Sequence, residues 1–338
     1  MTAGDPRSNA GAAPPLARFA ARLSLPLIAA PMFLVSGVEL VVAACQAGVV
    51  GAFPSANCRD PQELDHWLAR IGEALRDFEQ SRQRAAAPFA VNLIVHRSNP
   101  RLAQDLAVAV RHGTELVITS VGSPEAVVGP LHDAGCLVLA DVASLRHAEK
   151  AIAAGVDGLV LLTAGAGGQT GWANPFAFVR AVRAFWDGPL VLAGGVGDGQ
   201  ALAAARVLGC DLAYMGTRFI ASTESLAPPA YKTMLVESGM DDVVLTRAFT
   251  GLETNMLRPS IVAAGLDPDQ LPARGAIDVS KDIDAGARAL PGARRWKDVW
   301  SAGHAVSSVH GVTAVADIVR RTRHEFESAL REAASLRD

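Results

Sequence analysis

Gly158-Leu159-Val160-Leu161-Leu162-Thr163-Ala164-Gly165-Ala166-Gly167-Gly168-Gln169-Thr170-Gly171 joins a short apolar run to a loop that carries four glycines. A run without polar alternation reads as a strand buried on both faces, as in a parallel sheet. The glycines let a flat or phosphorylated ligand approach bare backbone. Gln169 is the functional side chain in the middle of that loop.

Runs of the same kind recur on both sides of it, over residues 26–32, 49–55, 89–95, 116–122, 137–143, 189–195 and 212–219. Ala-, Leu- and Arg-rich segments with helical spacing separate them. Asp60-Pro61, Ser123-Pro124-Glu125 and Asn174-Pro175 place a capping side chain before a proline at a helix start. Gly48, Gly113, Gly135, Gly155 and Gly209 follow helical stretches as stop signals. Eight strands alternating with helices read as an α/β chain, a (β/α)8 TIM barrel; a doubly wound open sheet is the competitor, and the count favours closure.

Four regions follow from the pattern. Residues 1–22 read as a disordered N-terminal segment and a short amphipathic helix at 16–23. Residues 23–239 form the barrel. Residues 240–300 lose the alternation and read as a helical lid or insertion, and residues 301–338 bring a C-terminal helix back to the barrel.

Composition narrows the classes of function. Half of the 338 residues are hydrophobic, which supplies a large core, and a net charge of −3 gives no attraction to nucleic acid or to an anionic membrane. No apolar window is long enough to span a bilayer. Cys45, Cys58, Cys136 and Cys210 are widely spaced and read as reduced thiols of a cytoplasmic protein. No signal-peptide core is visible, although the stretch between Asp5 and Glu39 has no acidic residue and leaves a transit peptide open.

In a barrel the chemistry sits where strands end. Those ends carry Pro31-Met32, residues 53–55, Asn92, Thr119-Ser120, Asp141, residues 163–169, Gly194-Gly195 and Gly216-Thr217. Backbone amides at the last two pairs suit a phosphate without any lysine. No Gly-Lys pair exists for a nucleotide P-loop, and neither Gly195-x-Gly197 nor Gly165-x-Gly167 completes a dinucleotide fingerprint. No His/Cys/carboxylate cluster has metal-ligand spacing, so no metal is expected.

Taken in order, Ala30-Pro31-Met32, Val91-Asn92-Leu93, the 164–171 loop, Ala193-Gly194-Gly195 and Tyr214-Met215-Gly216-Thr217-Arg218-Phe219 resemble the nitronate monooxygenase family of FMN-dependent barrels. Tyr231-Lys232-Thr233-Met234, Thr254-Asn255-Met256-Leu257-Arg258-Pro259-Ser260-Ile261 and Trp300-Ser301-Ala302-Gly303 extend the likeness to about residue 309. The resemblance implies that Pro31, Met32 and Asn92 contact the flavin ring and that Asp141 lies near the ribityl chain or ring edge. It implies that Gly168 lets the loop approach the ring, and that Gly194, Gly195, Gly216 and Thr217 hold the phosphate. Ala30, Ala166, Gly167 and Met215 complete the implied cofactor-binding set. The implied reaction takes an alkyl nitronate with O2 to a carbonyl compound and nitrite. A flavin-dependent NAD(P)H reductase or dehydrogenase of enoyl or acyl-CoA-type substrates is the alternative, and a phosphate-binding barrel without flavin is a remoter one. Partners are thus a small-molecule substrate with O2 or NAD(P)H, with no nucleic acid and no membrane; a homodimer is compatible.

The chain departs from the family at Gln169, where many members carry histidine. A neutral imidazole takes a proton from carbon beside a nitro group. An amide is not basic and can only orient by hydrogen bonding. Gln169 and His96, four residues beyond Asn92, are therefore the catalytic candidates. His304 and His310 are weaker ones; His66, His112, His132 and His147 read as surface residues, and Tyr214 reads as core.

Overall fold

A computed structural model describes residues 15–272, 288–290, 293–294 and 297–336. The expected disorder at residues 1–14 and the middle of the expected lid lie outside the described residues.

Eight parallel strands close into a barrel: β1 (Leu27–Ala29), β2 (Val50–Pro54), β3 (Phe89–Ile94), β4 (Leu116–Ser120), β5 (Leu137–Val142), β6 (Gly158–Leu162), β8 (Leu190–Ala193) and β9 (Leu212–Met215). Each lies inside one of the eight apolar runs. Closure is visible at Ile28, which pairs with Val50 of β2 on one side and Tyr214 of β9 on the other. The two-residue β7 (Gly168–Gln169) stands outside the barrel.

The apolar runs are continuous because both faces of each strand are covered. Alternate residues such as Ile28, Ala52, Ile118, Leu139, Val160 and Leu212 fill the barrel interior. Their neighbours, among them Val91, Val117, Val138 and Leu161, pack under the helices. Below the barrel the helix α1 (Ala17–Ala20) pushes Phe19 into that interior, a plug held by the two Arg22–Glu115 hydrogen bonds at 2.8 Å.

Local signals set the helix ends. Asp60 accepts from the Glu63 amide at 2.8 Å with Pro61 at the first helical position of α3 (Pro61–Arg82), and Asn174 accepts from the Phe176 amide at 2.9 Å ahead of α7 (Pro175–Arg183). The stop glycine Gly48 turns left-handed with φ +87°, as only glycine does cheaply. Directly after β9 the chain makes the four-residue α9 (Thr217–Ile220). The long C-terminal helix α12 (Val315–Ser335) completes the outer ring by packing against α8 (Gly199–Leu208) and α2 (Val38–Ala47).

The described part of the expected lid mixes strand and helix. Residues 240–272 carry β10 (Val243–Thr246) and β11 (Thr254–Leu257), with a short helix at Arg258–Ala263. The two strands and β7 form an antiparallel sheet in the order β10-β11-β7. A partner strand from the barrel loop turns this segment into sheet, which its own composition does not announce.

Candidate active site

A cavity of about 420 Å³ opens at the C-terminal ends of the barrel strands. Its size is that of a site for a cofactor-sized molecule. The floor is the last inward-facing layer of the barrel: Asn92 of β3, Ser120 of β4, Asp141 of β5, Leu162 of β6, Ala193 of β8 and Tyr214 of β9. One wall is the 31–35 loop after β1. Asn57 pins that loop by accepting from the Leu34 amide at 2.9 Å and donating to the Ser36 carbonyl at 2.8 Å.

The opposite wall is the glycine-rich loop, and the lid sheet holds it. Gly168 pairs with Asn255 and Gln169 with Thr254 in the β7–β11 ladder. Asn255 donates from Nδ2 to the Ala166 carbonyl at 2.7 Å. Residues 300–305 cross over the same loop as a strap. The Gly303 amide donates to Thr217 Oγ1 at 2.9 Å, and the His304 amide donates to the Gly165 carbonyl at 2.9 Å. A Cβ on Gly303 would come within 2.6 Å of the Gly165 oxygen, so this crossing needs glycine.

At the end of β8, Gly194 and Gly195 have φ of +127° and +75°. A Cβ on Gly194 would lie 2.4 Å from Thr163 Oγ1, while one on Gly195 would meet nothing within 4 Å, because it would project into open space. Gly216 opens the short α9 beside them, and Thr217 lines the same end of the cavity. The Thr217 oxygen accepts from the strap, which leaves its O–H to donate.

Two polar atoms of the floor have no partner. Asp141 Oδ1 and the Tyr214 hydroxyl are both closed off from solvent and find no hydrogen-bond partner among the described residues. Burial without a compensating cation pushes the Asp141 carboxyl up to about 7. Burial, and then the neighbouring Asp141 charge, raise the Tyr214 phenol well above its ordinary value. Buried groups left unbonded in a concave site point to a ligand that completes them. Asn92 differs: Nδ2 donates to the Ile118 carbonyl and to Ser120 Oγ, both at 3.1 Å, and its Oδ1 lies 3.5 Å from the same Ser120 hydroxyl, so neighbouring β4 already engages the amide.

The cavity thus gathers Ala30, Pro31, Met32, Asn92, Asp141, Ala166, Gly167, Gly168, Gln169, Gly194, Gly195, Gly216 and Thr217. The Gln169 side chain is half-buried and makes no hydrogen bond among the described residues, so its amide is free for a ligand.

Two sequence candidates fall elsewhere. His96 does not line the cavity: its Nδ1 is 2.8 Å from Ser98 Oγ, and the ring folds onto its own loop. Met215 is fully buried in the core between strands and helices and does not line the cavity; its carbonyl accepts from the Ala30 amide at 3.1 Å. His304 and His310 are exposed, and neither lines the cavity.

Four contributors lie outside the residues that the sequence singles out for the site. Tyr214 was assigned to the core, and its ring does pack there, but its hydroxyl end belongs to the floor. Tyr231 and Trp300 stack at 5.0 Å with planes 13° apart and line the cavity from the lid side. Tyr231 donates its hydroxyl proton to the Ser301 carbonyl, and burial pushes its phenol up to about 12. Lys297 supplies the cationic side chain among the described lining residues. The Tyr231-Lys232-Thr233-Met234 and Trp300-Ser301-Ala302-Gly303 segments were the available signal for the aromatic pair.

The cysteines stay outside this chemistry: all four are buried, and burial pushes their thiols up to about 12. No helix among the described residues is long and apolar enough to cross a membrane.

Comparison with known proteins agrees with this architecture. Residues 80–322 match the sequence profile of the family described as nitronate monooxygenase. A nitronate monooxygenase of Paraburkholderia phytofirmans is 27% identical over 91% of this chain and 93% of its own. A (3aS,4S,5R,7aS)-5-hydroxy-7a-methyl-1-oxo-octahydro-1H-indene-4-carboxyl-CoA dehydrogenase of Mycobacterium tuberculosis is 29% identical over 70% of this chain. The match spans only 64% of that relative's length. A nitroalkane oxidase from Streptomyces ansochromogenes shares the fold with a TM-score of 0.76 at 24% identity, covering 92% of this chain and 98% of the other.

Proposed function

The chain belongs to the nitronate monooxygenase family, a group of flavin-dependent oxidoreductases, and from that premise we propose that it binds FMN and oxidises alkyl nitronates with O2. The residues present suit FMN. Gly195 leaves room where a side chain would stand, Gly194, Gly216 and Thr217 surround the same corner with backbone and a hydroxyl, and the floor has unbonded polar atoms for the ring or ribityl edge. When bound, the flavin supplies the electron acceptance that no side chain offers.

The observation that carries the substrate reading is Gln169. It faces the cavity with a free amide, held in place through its backbone by β11. An amide N–H donates to a nitronate oxygen and so orients a substrate that arrives already deprotonated. It takes no proton from a neutral nitroalkane. The strap and the Tyr231–Trp300 pair cover the site and limit water there. The test is a pair of steady-state assays, one with preformed nitronate and one with the neutral nitroalkane. Turnover confined to the nitronate is expected; equal efficiency on the neutral form refutes the role given to Gln169.

A second reading is a dehydrogenase or reductase of a CoA-linked substrate using NAD(P)H. The likeness to the indene-carboxyl-CoA dehydrogenase favours it, as does Lys297, which suits the phosphates of a nucleotide tail. Anaerobic mixing with NADH or NADPH separates the two readings: rapid bleaching of the flavin supports the second. A purified protein without flavin absorbance would sink both.

A further inference from the structure

We propose that Asp141 works in its protonated form and, with the Tyr214 hydroxyl, makes a hydrogen-bond-donating floor for an electron-rich acceptor of the bound ligand. The inference rests on the reading of this cavity as a flavin and nitronate site.

Two polar side chains converge on the cavity floor. Asp141 ends β5 and Tyr214 sits on β9, three strands around the barrel, and both face one cavity. Asp141 Oδ1 and the Tyr214 oxygen are enclosed and unpartnered. Among the described residues no cation neutralises a charge there. The strands flanking β5 present Ser120 and Leu162 to the cavity. The helices outside β5 carry Asp133, His132, Arg146 and Lys150 on their solvent side, all exposed. Tyr214 is the titratable group that faces Asp141, and Lys297 is the lining cation, on the lid side.

A carboxylate only accepts hydrogen bonds, whereas a carboxylic acid donates one. An ionised Asp141 would set negative charge against any electron-rich atom placed on the floor, in a low-dielectric site where repulsion is strong. The acid form donates instead, and the phenol beside it donates a second bond. Burial favours the acid by moving its titration up to about 7. Two acceptors share the required chemistry: an oxygen of a nitronate anion and the carbonyl edge of the flavin pyrimidine. Either binds best while Asp141 holds its proton, and affinity falls as pH rises through that titration.

The experiment measures two affinities across pH in the wild type, Asp141→Asn and Tyr214→Phe. FMN binding to the apoprotein is followed by quenching of flavin fluorescence. Binding of the nitroethane anion to the FMN-loaded protein, without oxygen, is followed by the visible difference spectrum. For the owner of the acceptor, wild-type affinity should fall about tenfold per pH unit above the titration. Asp141→Asn should be flat, and Tyr214→Phe should bind more weakly with the slope kept. A slope in the FMN arm alone assigns the acceptor to the flavin, and one in the nitronate arm alone assigns it to the substrate. Flat wild-type profiles in both arms, or a slope surviving in Asp141→Asn, overturn the proposal. Absence of FMN binding at any pH overturns the flavin reading instead. The infrared C=O stretch of a protonated carboxyl, seen below the titration and lost above it, reads the same proton in the wild type without a substitution; its absence also overturns the proposal.

Discussion

Asp141→Asn should stabilise the ligand-free protein, and increasingly so as pH rises. In the fold the carboxyl titrates near 7 rather than at 3.8, because burial disfavours its charged form. The difference is about three pH units, each worth about 1.4 kcal/mol, so ionising Asp141 costs the folded state up to about 4 kcal/mol. One face of the side chain opens to the cavity, where water weakens the penalty, so roughly 2 kcal/mol is a sensible lower figure. The sign follows from proton counting. Below the unfolded value both states hold the proton and the cost vanishes. Between 3.8 and about 7 the folded state holds more proton than the unfolded, so stability falls as pH rises; above that range the full cost is present. Asparagine has the same shape and no charge to bury. Urea unfolding of stripped protein should therefore show near-equal stabilities at about pH 3, a gap of roughly 1.5 kcal/mol already open at about pH 5, and a gap of about 2–4 kcal/mol in favour of the variant at about pH 8. A gap that stays constant, or that grows toward acid, refutes the claim that Asp141 is a desolvated carboxyl without a partner.

Other substitutions test other parts of the site. Gln169→His puts a base where the amide stands, so kcat/KM on neutral nitroalkane should rise about a hundredfold relative to nitronate; an unchanged ratio in steady-state assays denies that this position governs proton abstraction. Gly194→Ala forces a side chain at φ +127° and 2.4 Å from Thr163 Oγ1, and should cost roughly 1–3 kcal/mol or more and reduce bound flavin. A thermal melt and flavin content equal to wild type would show that the cradle is not as tight as drawn. Tyr231→Phe leaves the stack on Trp300 but strips the Ser301 carbonyl of its donor, for an expected loss of about 1–2 kcal/mol in urea unfolding.

The barrel was legible because burial on both faces of a strand is written directly into composition. Runs such as 137–143 and 158–164 have no other economical reading, and their last residues located the floor. The sheet in the lid was not legible. Gly168–Gln169 is too short to show a strand period, and Thr254–Leu257 becomes a strand only when that loop lies beside it. Tyr214 was misjudged for a related reason: in a run that is apolar on both faces, alternation does not say which residues point inward. Asp141 was visible as a carboxylate at a strand end. Its isolation was not, since that depends on which cations the rest of the chain fails to bring near. His96 shows the limit of arguing by layer, because a loop side chain bonds first to its own neighbours.

The order of elements along the chain has a consequence for synthesis. The lining of the cavity is finished by Ala305, yet the helix that seals the outer ring begins only at Val315, whose side chain is wholly buried, and packs on a helix near residue 40. During synthesis every site residue therefore emerges before the wall behind them is closed. Until those last residues emerge, the apolar faces of α2 and α8 stay open to solvent and to other nascent chains. A premature stop near residue 310 would give a protein with an intact inventory for chemistry and a strong tendency to aggregate. In this molecule a helix that supplies no part of the cavity closes the wall behind it.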